Sequence, residues 1–280
     1  MVQTEKLTVE FFSSGYCTAD ASIVNPLQGK GKTKFYAVWA LIKHSELGYI
    51  LFDTGYNPSF YDATFSFPGK FYRWATPVFI NPSETAAAIL LKRGIAPDQI
   101  NYIIISHFHA DHIGGLKDFP KAKFICTQLA YLQMKAAKGI AAVSKGILKK
   151  LIPDDFSNRL LLVEDISEEH IHEGSRITIF NLFHKKEIQL FLLPGHARGM
   201  LGLYWEEEHK NYLFASDAGW SVECFDSNIL PKKIVSLFFD SWEDFVNTQK
   251  RIRLFLKYNP STELLFTHCP KTLSYIKEHV

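Results

Sequence analysis

No stretch of this chain constrains it more than Ser106-His107-Phe108-His109-Ala110-Asp111-His112-Ile113-Gly114-Gly115. It follows Tyr102-Ile103-Ile104-Ile105, a run too short for a typical helix and rich in β-branched residues, which predicts a buried strand. Alternate residues of an extended chain share a face, so His107, His109 and Asp111 are expected to converge where the strand exits. His112 lies out of that phase and joins them only if the backbone turns, a freedom the Gly114-Gly115 pair is expected to supply. Three imidazoles and a carboxylate so closely spaced offer nitrogen and oxygen donors suited to zinc, iron or manganese.

Further ligand types stand at the ends of other predicted strands. Ile188 to Leu193 leads into Pro194-Gly195-His196, Tyr212 to Ala215 into Ser216-Asp217-Ala218-Gly219, and Glu263 to Phe266 into Thr267-His268-Cys269. With His107, His109, Asp111 and His112 this makes a set too large for one tetrahedral zinc. It suits two cations about 3.5–4 Å apart that share a carboxylate and a hydroxide. The strand at Tyr49-Ile50-Leu51-Phe52 ends in Asp53-Thr54-Gly55, and Asp53 reads either as the partner of a ligand histidine's second ring nitrogen or as a plain turn residue. There is also an internal echo: two strands run into Asp-x-Gly (Asp53, Asp217), and two run into Ser/Thr-His (His107, His268).

The chain of 280 residues is expected to form a single domain over 1–280, with 47% hydrophobic residues to build its core. A net charge of +2 argues against nucleic-acid and membrane partners, and no apolar run reaches the length of a membrane span. Residues 1–6 show no basic stretch leading into an apolar segment, so a cytoplasmic protein, monomer or homodimer, is the expectation. Cys17, Cys126, Cys224 and Cys269 are scattered and read as reduced, packed thiols, Cys269 alone lying beside a candidate ligand.

Between the strands, residues 56–80 form an irregular excursion in which Pro58, Pro68, Gly69 and Pro77 forbid one long helix. Its aromatics, Phe65 and Phe67 among them, either pack as a satellite core or wall an apolar substrate pocket. Asn81-Pro82-Ser83-Glu84 predicts the start of a helix that runs to Gly94. Residues 139–160 read as an amphipathic surface helix or as a mobile cover over the metals. His170-Ile171-His172 reads as a solvated loop, and residues 241–258 carry a helical pattern.

The His-x-His-x-Asp-His run and the order of the later ligands resemble the metallo-β-lactamase superfamily of hydrolases over nearly the whole chain. The resemblance is strongest to the N-acyl-homoserine lactonase branch. It implies an α/β fold, a four-layer αββα sandwich with the metals at one edge of its two sheets. It also implies that His107, His109 and His196 hold one cation, Asp111, His112 and His268 the other, and that Asp217 bridges. Two cations of this kind, most simply Zn2+, with iron or manganese also compatible, would acidify a bridging water, and Asp111 or Asp217 would hand a proton to the leaving alkoxide.

Two departures bear on the substrate. Lactonases of this branch carry a tyrosine three positions after the bridging aspartate, where this chain has Trp220. The Gly-His-Thr-Pro-Gly-His stretch is replaced by Gly195-His196-Ala197-Arg198-Gly199-Met200. Trp220 can donate a hydrogen bond with a different reach, and Arg198 either attracts an anionic substrate or pairs with a surface carboxylate. The leading expectation is a dinuclear hydrolase that opens lactones or related esters with an apolar portion. The alternatives are a phosphoester or organophosphate hydrolase and a metal-stabilised binding protein without turnover.

Overall fold

A computed structural model describes residues 7–276; residues 1–6, read above for a leader, lie outside the described residues. The first part of the chain contributes β1 (Leu7–Asp20), β2 (Lys32–His44), β3 (Gly48–Phe52), β4 (Val78–Phe79), β5 (Ile100–Ile104), β6 (Lys123–Cys126) and β7 (Leu160–Leu162) to one sheet of order β4-β1-β2-β3-β5-β6-β7. The second part contributes β8 (Ser167–Ile171), β9 (Thr178–Leu182), β10 (Gln189–Leu192), β11 (Leu201–Glu206), β12 (Asn211–Phe214) and β13 (Thr262–Leu265) to another, of order β13-β12-β11-β10-β9-β8.

The strands are apolar on both faces because both faces are covered. In β2, Val38, Ala40 and Ile42 point between the sheets, where they meet Leu190, Leu203 and Phe214, while Ala37, Trp39 and Leu41 join Ile89, Leu90 and Met134 on the outer, helical side. The second sheet repeats the arrangement, with Phe191, Leu193 and Leu213 packing outward on Ile252 and Phe255 of the helix Trp242–Tyr258. The result is the expected four-layer αββα sandwich.

The internal echo is real in three dimensions. β3 pairs with β5 in parallel, and β12 pairs with β13 in parallel. Just past each first strand stands a residue of left-handed backbone, Asp53 at φ 62° and Ser216 at φ 49°, where the chain turns sharply. The Ser106 carbonyl accepts a hydrogen bond from the Leu201 amide, which ties one sheet to the other beside the ligand residues.

Several local expectations change. The helix expected from Asn81 to Gly94 is split: a 3-10 turn, Pro82–Glu84, is followed by the helix Ala86–Lys92, because Thr85 stays extended and caps the second piece through its Oγ1. Residues 139–160 do not form one helix but break into Gly139–Ser144, Lys149–Leu151 and Phe156–Arg159, with Gly146 at φ 72° and Pro153 between them. The His170 stretch is an edge strand rather than a loop, since its backbone pairs with β9 while its polar side chains face outward. No helix among the described residues is long and apolar enough to cross a membrane.

Candidate metal centre

The ligand motif reaches its geometry by an unexpected turn. Instead of staying extended, the chain folds at His109, which caps the short helix Ala110–Ile113, so Asp111 and His112 project from consecutive helical positions. The glycine pair does not provide this bend. Gly114 has ordinary helical backbone, and a Cβ there would lie 2.6 Å from the Gly55 carbonyl oxygen and 2.8 Å from the Asn57 amide. Glycine is required for close approach of the β3 loop, a demand that the motif's spacing does not reveal.

The later candidate ligands arrive from the second sheet. Gly195 lies so close to the helix Trp242–Tyr258 that a Cβ would stand 2.2 Å from the Phe245 nitrogen, and the Gly195 and His196 carbonyls accept from the Ser241 and Asp240 amides. Asp217 follows the left-handed Ser216. His268 follows β13, and its Nδ1 lies 2.8 Å from the Tyr36 carbonyl oxygen.

Seven side chains from two sheets thereby meet. His196 Nε2 lies 2.9 Å from His109 Nδ1 and 3.3 Å from Asp217 Oδ2. His268 Nε2 lies 3.2 Å from Asp111 Oδ2 and 3.4 Å from Asp217 Oδ2, and His112 Nε2 is 3.6 Å from both aspartates. Three groups have donor atoms within 4.8 Å of one another: His107, His109 and His196; Asp111, His112 and His268; and a linking group of His107, His112 and Asp217. Several ring nitrogens that face away are tied down. Ser106 Oγ is 3.0 Å from His107 Nδ1, and Asp53 Oδ2 is 2.7 Å from His112 Nδ1. Asp53 also accepts from the Ser106 amide and hydroxyl, so it bonds both to the candidate ligand His112 and to the residue before His107.

Burial opposes charge on all of these groups, and their neighbours decide the outcome. His107 is held well below the ordinary imidazole range by burial and by the facing rings of His112, His109 and His196. Burial takes His109 down to about 4 and His196 to about 3. At His112, burial is outweighed by the carboxylates of Asp111, Asp53 and Asp217, which raise it to about 9; at His268, Asp217 and Asp111 likewise win over burial and raise it. Asp111 is held at about 2 against its burial by His112 and His268, and Asp217 lies well below the usual carboxylate range beside His268, His112 and His196. Asp53 is pushed up by burial, and the proton of the His112–Asp53 pair rests on His112, which three carboxylates surround.

The donor set fits divalent cations. His107 Nε2, His112 Nε2 and Asp217 Oδ1 are buried without a hydrogen-bond partner, an arrangement that is costly unless a ligand completes it. Residues 33–252 match the family model described as the metallo-beta-lactamase superfamily. The chain belongs to that superfamily. It is a metal-dependent hydrolase related to lactonases. It is 27% identical to an N-acyl homoserine lactonase of Bacillus thuringiensis over 220 residues, 78% of each chain. Its fold matches an N-acyl homoserine lactone hydrolase solved with N-hexanoyl-L-homoserine at the catalytic metal centre, with a TM-score of 0.74, 22% identity and 96% of each chain covered. It also matches AidC, a dizinc quorum-quenching lactonase, with a TM-score of 0.63, 17% identity, and 96% of this chain and 90% of that one covered.

The expected substrate contacts are placed unevenly. Trp220 is at the centre, its Nε1 donating to Asp217 Oδ2 over 3.3 Å and its ring packed against His196 and Phe239. Arg198 pairs with Asp240, so its charge is already matched by a carboxylate. Phe65 and Phe67 stand 81% and 70% exposed, and neither lines the cleft of about 460 Å³ that opens beside His268. That cleft is walled by Val24, Phe35, Trp220 and Val222, with Asn25, Lys34, Glu223 and Asp226 on its polar side. Phe35 and Val24 escaped the sequence reading because strand alternation shows which residues share a face, not which face adjoins a site. Cys269 lines the same cleft but its Sγ accepts from the Val222 amide. Of the 139–160 segment, the turn before Ile147 lies on the centre: a Cβ on Gly146 would be 2.6 Å from His109 Cδ2.

Proposed function

We propose that this hydrolase opens lactones bearing an apolar acyl portion, of the N-acyl-homoserine-lactone type, with two divalent cations, most simply zinc. One observation carries the reading: two donor trios joined by Asp217 reach, at His268, a cleft whose wall includes Val24, Phe35 and Val222. His107, His109 and His196 would hold one cation, Asp111, His112 and His268 the other, with Asp217 between them. When bound, the pair supplies an acidified water and an electrophile for the acyl oxygen. Asp53, Ser106 and the Tyr36 carbonyl fix the ring orientations. Val24, Phe35 and Val222 take the acyl chain and exclude water, and Trp220 holds Asp217 in place. Asp111, with one oxygen turned toward His268, is placed to return a proton to the alkoxide that leaves.

Purified protein loaded with zinc should open acyl-homoserine lactones and lose that activity on chelation, while p-nitrophenyl phosphoesters in a parallel panel turn over poorly. Phosphoester turnover without lactone turnover, or lactone bound and never opened, would overturn the reading.

Metal uptake should also expel protons. His112 and His268 carry them at neutral pH in the metal-free protein, whereas ligand imidazoles must be neutral, so binding at pH 7 should release ~2 protons per chain. Because His112 is raised to about 9, its release is full below that pH, where the affinity climbs with pH; as pH rises through about 9 the release fades and the affinity levels off. Calorimetric titration in buffers of different ionisation enthalpy measures the number; zero release at pH 7 would exclude these two histidines as ligands.

A further inference from the structure

The face beside the metal centre carries an exposed aromatic cluster that the chemistry above does not use. Phe71 and Trp74, on the helix Gly69–Ala75, are 61% and 78% exposed and lie against each other with centroids 5.9 Å apart. Phe65 and Phe67 precede them, and Ile140, 64% exposed, belongs to the adjoining helix Gly139–Ser144, which shares with Phe67 the margins of a groove of about 180 Å³. Exposed aromatic surface on this scale marks a contact site.

Charge selects what would cover it. The whole-chain charge of +2, from 31 basic and 29 acidic residues, argued against a membrane partner, but it averages over an uneven surface: residues 63–75 and 135–150 contain seven lysines and arginines and no acid. Among the described residues none of Lys70, Arg73, Lys138, Lys149 and Lys150 belongs to an ion pair; Arg73 lies over the Tyr61 ring, and Lys149 donates to the Lys135 carbonyl. A two-fold contact with a second copy would set this basic surface against itself, at a cost. Phenylalanine and tryptophan side chains rimmed by long basic ones suit the boundary between acyl chains and anionic headgroups.

We propose that this face docks the protein peripherally on an anionic bilayer, with Phe71 and Trp74 inserted and Lys70 and Arg73 among the headgroup contacts. The docked surface and the metal centre share an element, since the 139–147 segment also carries Gly146 against His109. The proposal is independent of the substrate.

The test is co-sedimentation of the intact zinc-loaded protein with phosphatidylcholine vesicles, with and without phosphatidylglycerol. Binding should require phosphatidylglycerol and weaken with salt. The double variant Lys70→Gln/Arg73→Gln should bind roughly 30-fold less well, from about 1 kcal/mol per cation at the surface. Phe71→Ser/Trp74→Ser should lose more than roughly tenfold in partition, from the apolar area no longer inserted. Both variants should keep the wild-type melting temperature and turnover of a water-soluble lactone, because the replaced side chains are exposed. Sedimentation no greater with phosphatidylglycerol than without it would overturn the proposal, as would binding unchanged in both variants. So would a wild-type dimer that Phe71→Ser/Trp74→Ser converts to monomer, which would assign the face to a second copy.

Discussion

Substitution of Asp217 by asparagine should lower kcat/KM for an acyl-homoserine lactone by roughly 10³-fold, the loss typical when charge aimed at a reacting centre is removed. The replacement keeps the shape and removes the charge. Asp217 Oδ2 lies 3.3 Å from His196 Nε2 and 3.4 Å from His268 Nε2, and its Oδ1 is 3.6 Å from His112 Nε2, so this carboxylate touches both donor trios. In the proposed two-cation centre, its loss would leave no side-chain carboxylate between the two donor trios to offset the repulsion of the cations. Elemental analysis of the purified variant should therefore show fewer than two metals per chain. Full metal content with an unchanged rate would remove Asp217 from the centre.

The second large effect is expected at Asp53, which touches no substrate. It is wholly buried, pairs with His112 Nδ1 at 2.7 Å, and accepts from the Ser106 amide and hydroxyl at 2.8 and 2.7 Å. Asp53→Ala removes the carboxylate that faces the His112 ring and leaves the Ser106 amide buried without a partner. It should destabilise the metal-free protein by about 3–5 kcal/mol, the usual result of breaking a buried pair from one side. It should also weaken metal binding roughly 10- to 100-fold, since the ring of His112 is no longer oriented. Asp53→Asn tolerates the left-handed backbone at this position and retains an acceptor, so it should recover much of the stability but not the affinity. Urea denaturation of metal-free protein and a competitive metal titration separate the two terms. Wild-type affinity in Asp53→Ala would show that the contact plays no orienting part.

Much of the architecture was legible because hydrophobic alternation and ligand chemistry are local signals. The strand before His107, the Pro194-Gly195-His196 step, the 241–258 helix and the paired Asp-x-Gly and Ser/Thr-His turns are all visible as runs of residues. What escaped depends on tertiary contact. Thr85 stays extended and caps a second helical piece, and Gly146 bends the 139–160 segment against His109. Gly114 is needed because the Gly55 and Asn57 backbone passes too near for a side chain. The cleft residues Phe35 and Val24 come from β2 and the turn after β1, and nothing in their neighbours' identities points to a site brought close only when the sheets stack.

That stacking has a consequence for how this enzyme tolerates change. His107, His109, Asp111 and His112 belong to one sheet's connections and His196, Asp217 and His268 to the other's, so neither half holds the whole of the proposed coordination shell. The layer of Phe52, Phe214 and Leu190 between them is a spacer whose thickness sets the gap that the donor atoms must span. Swelling or thinning of that layer would be felt first as altered metal retention, long before the fold itself gave way.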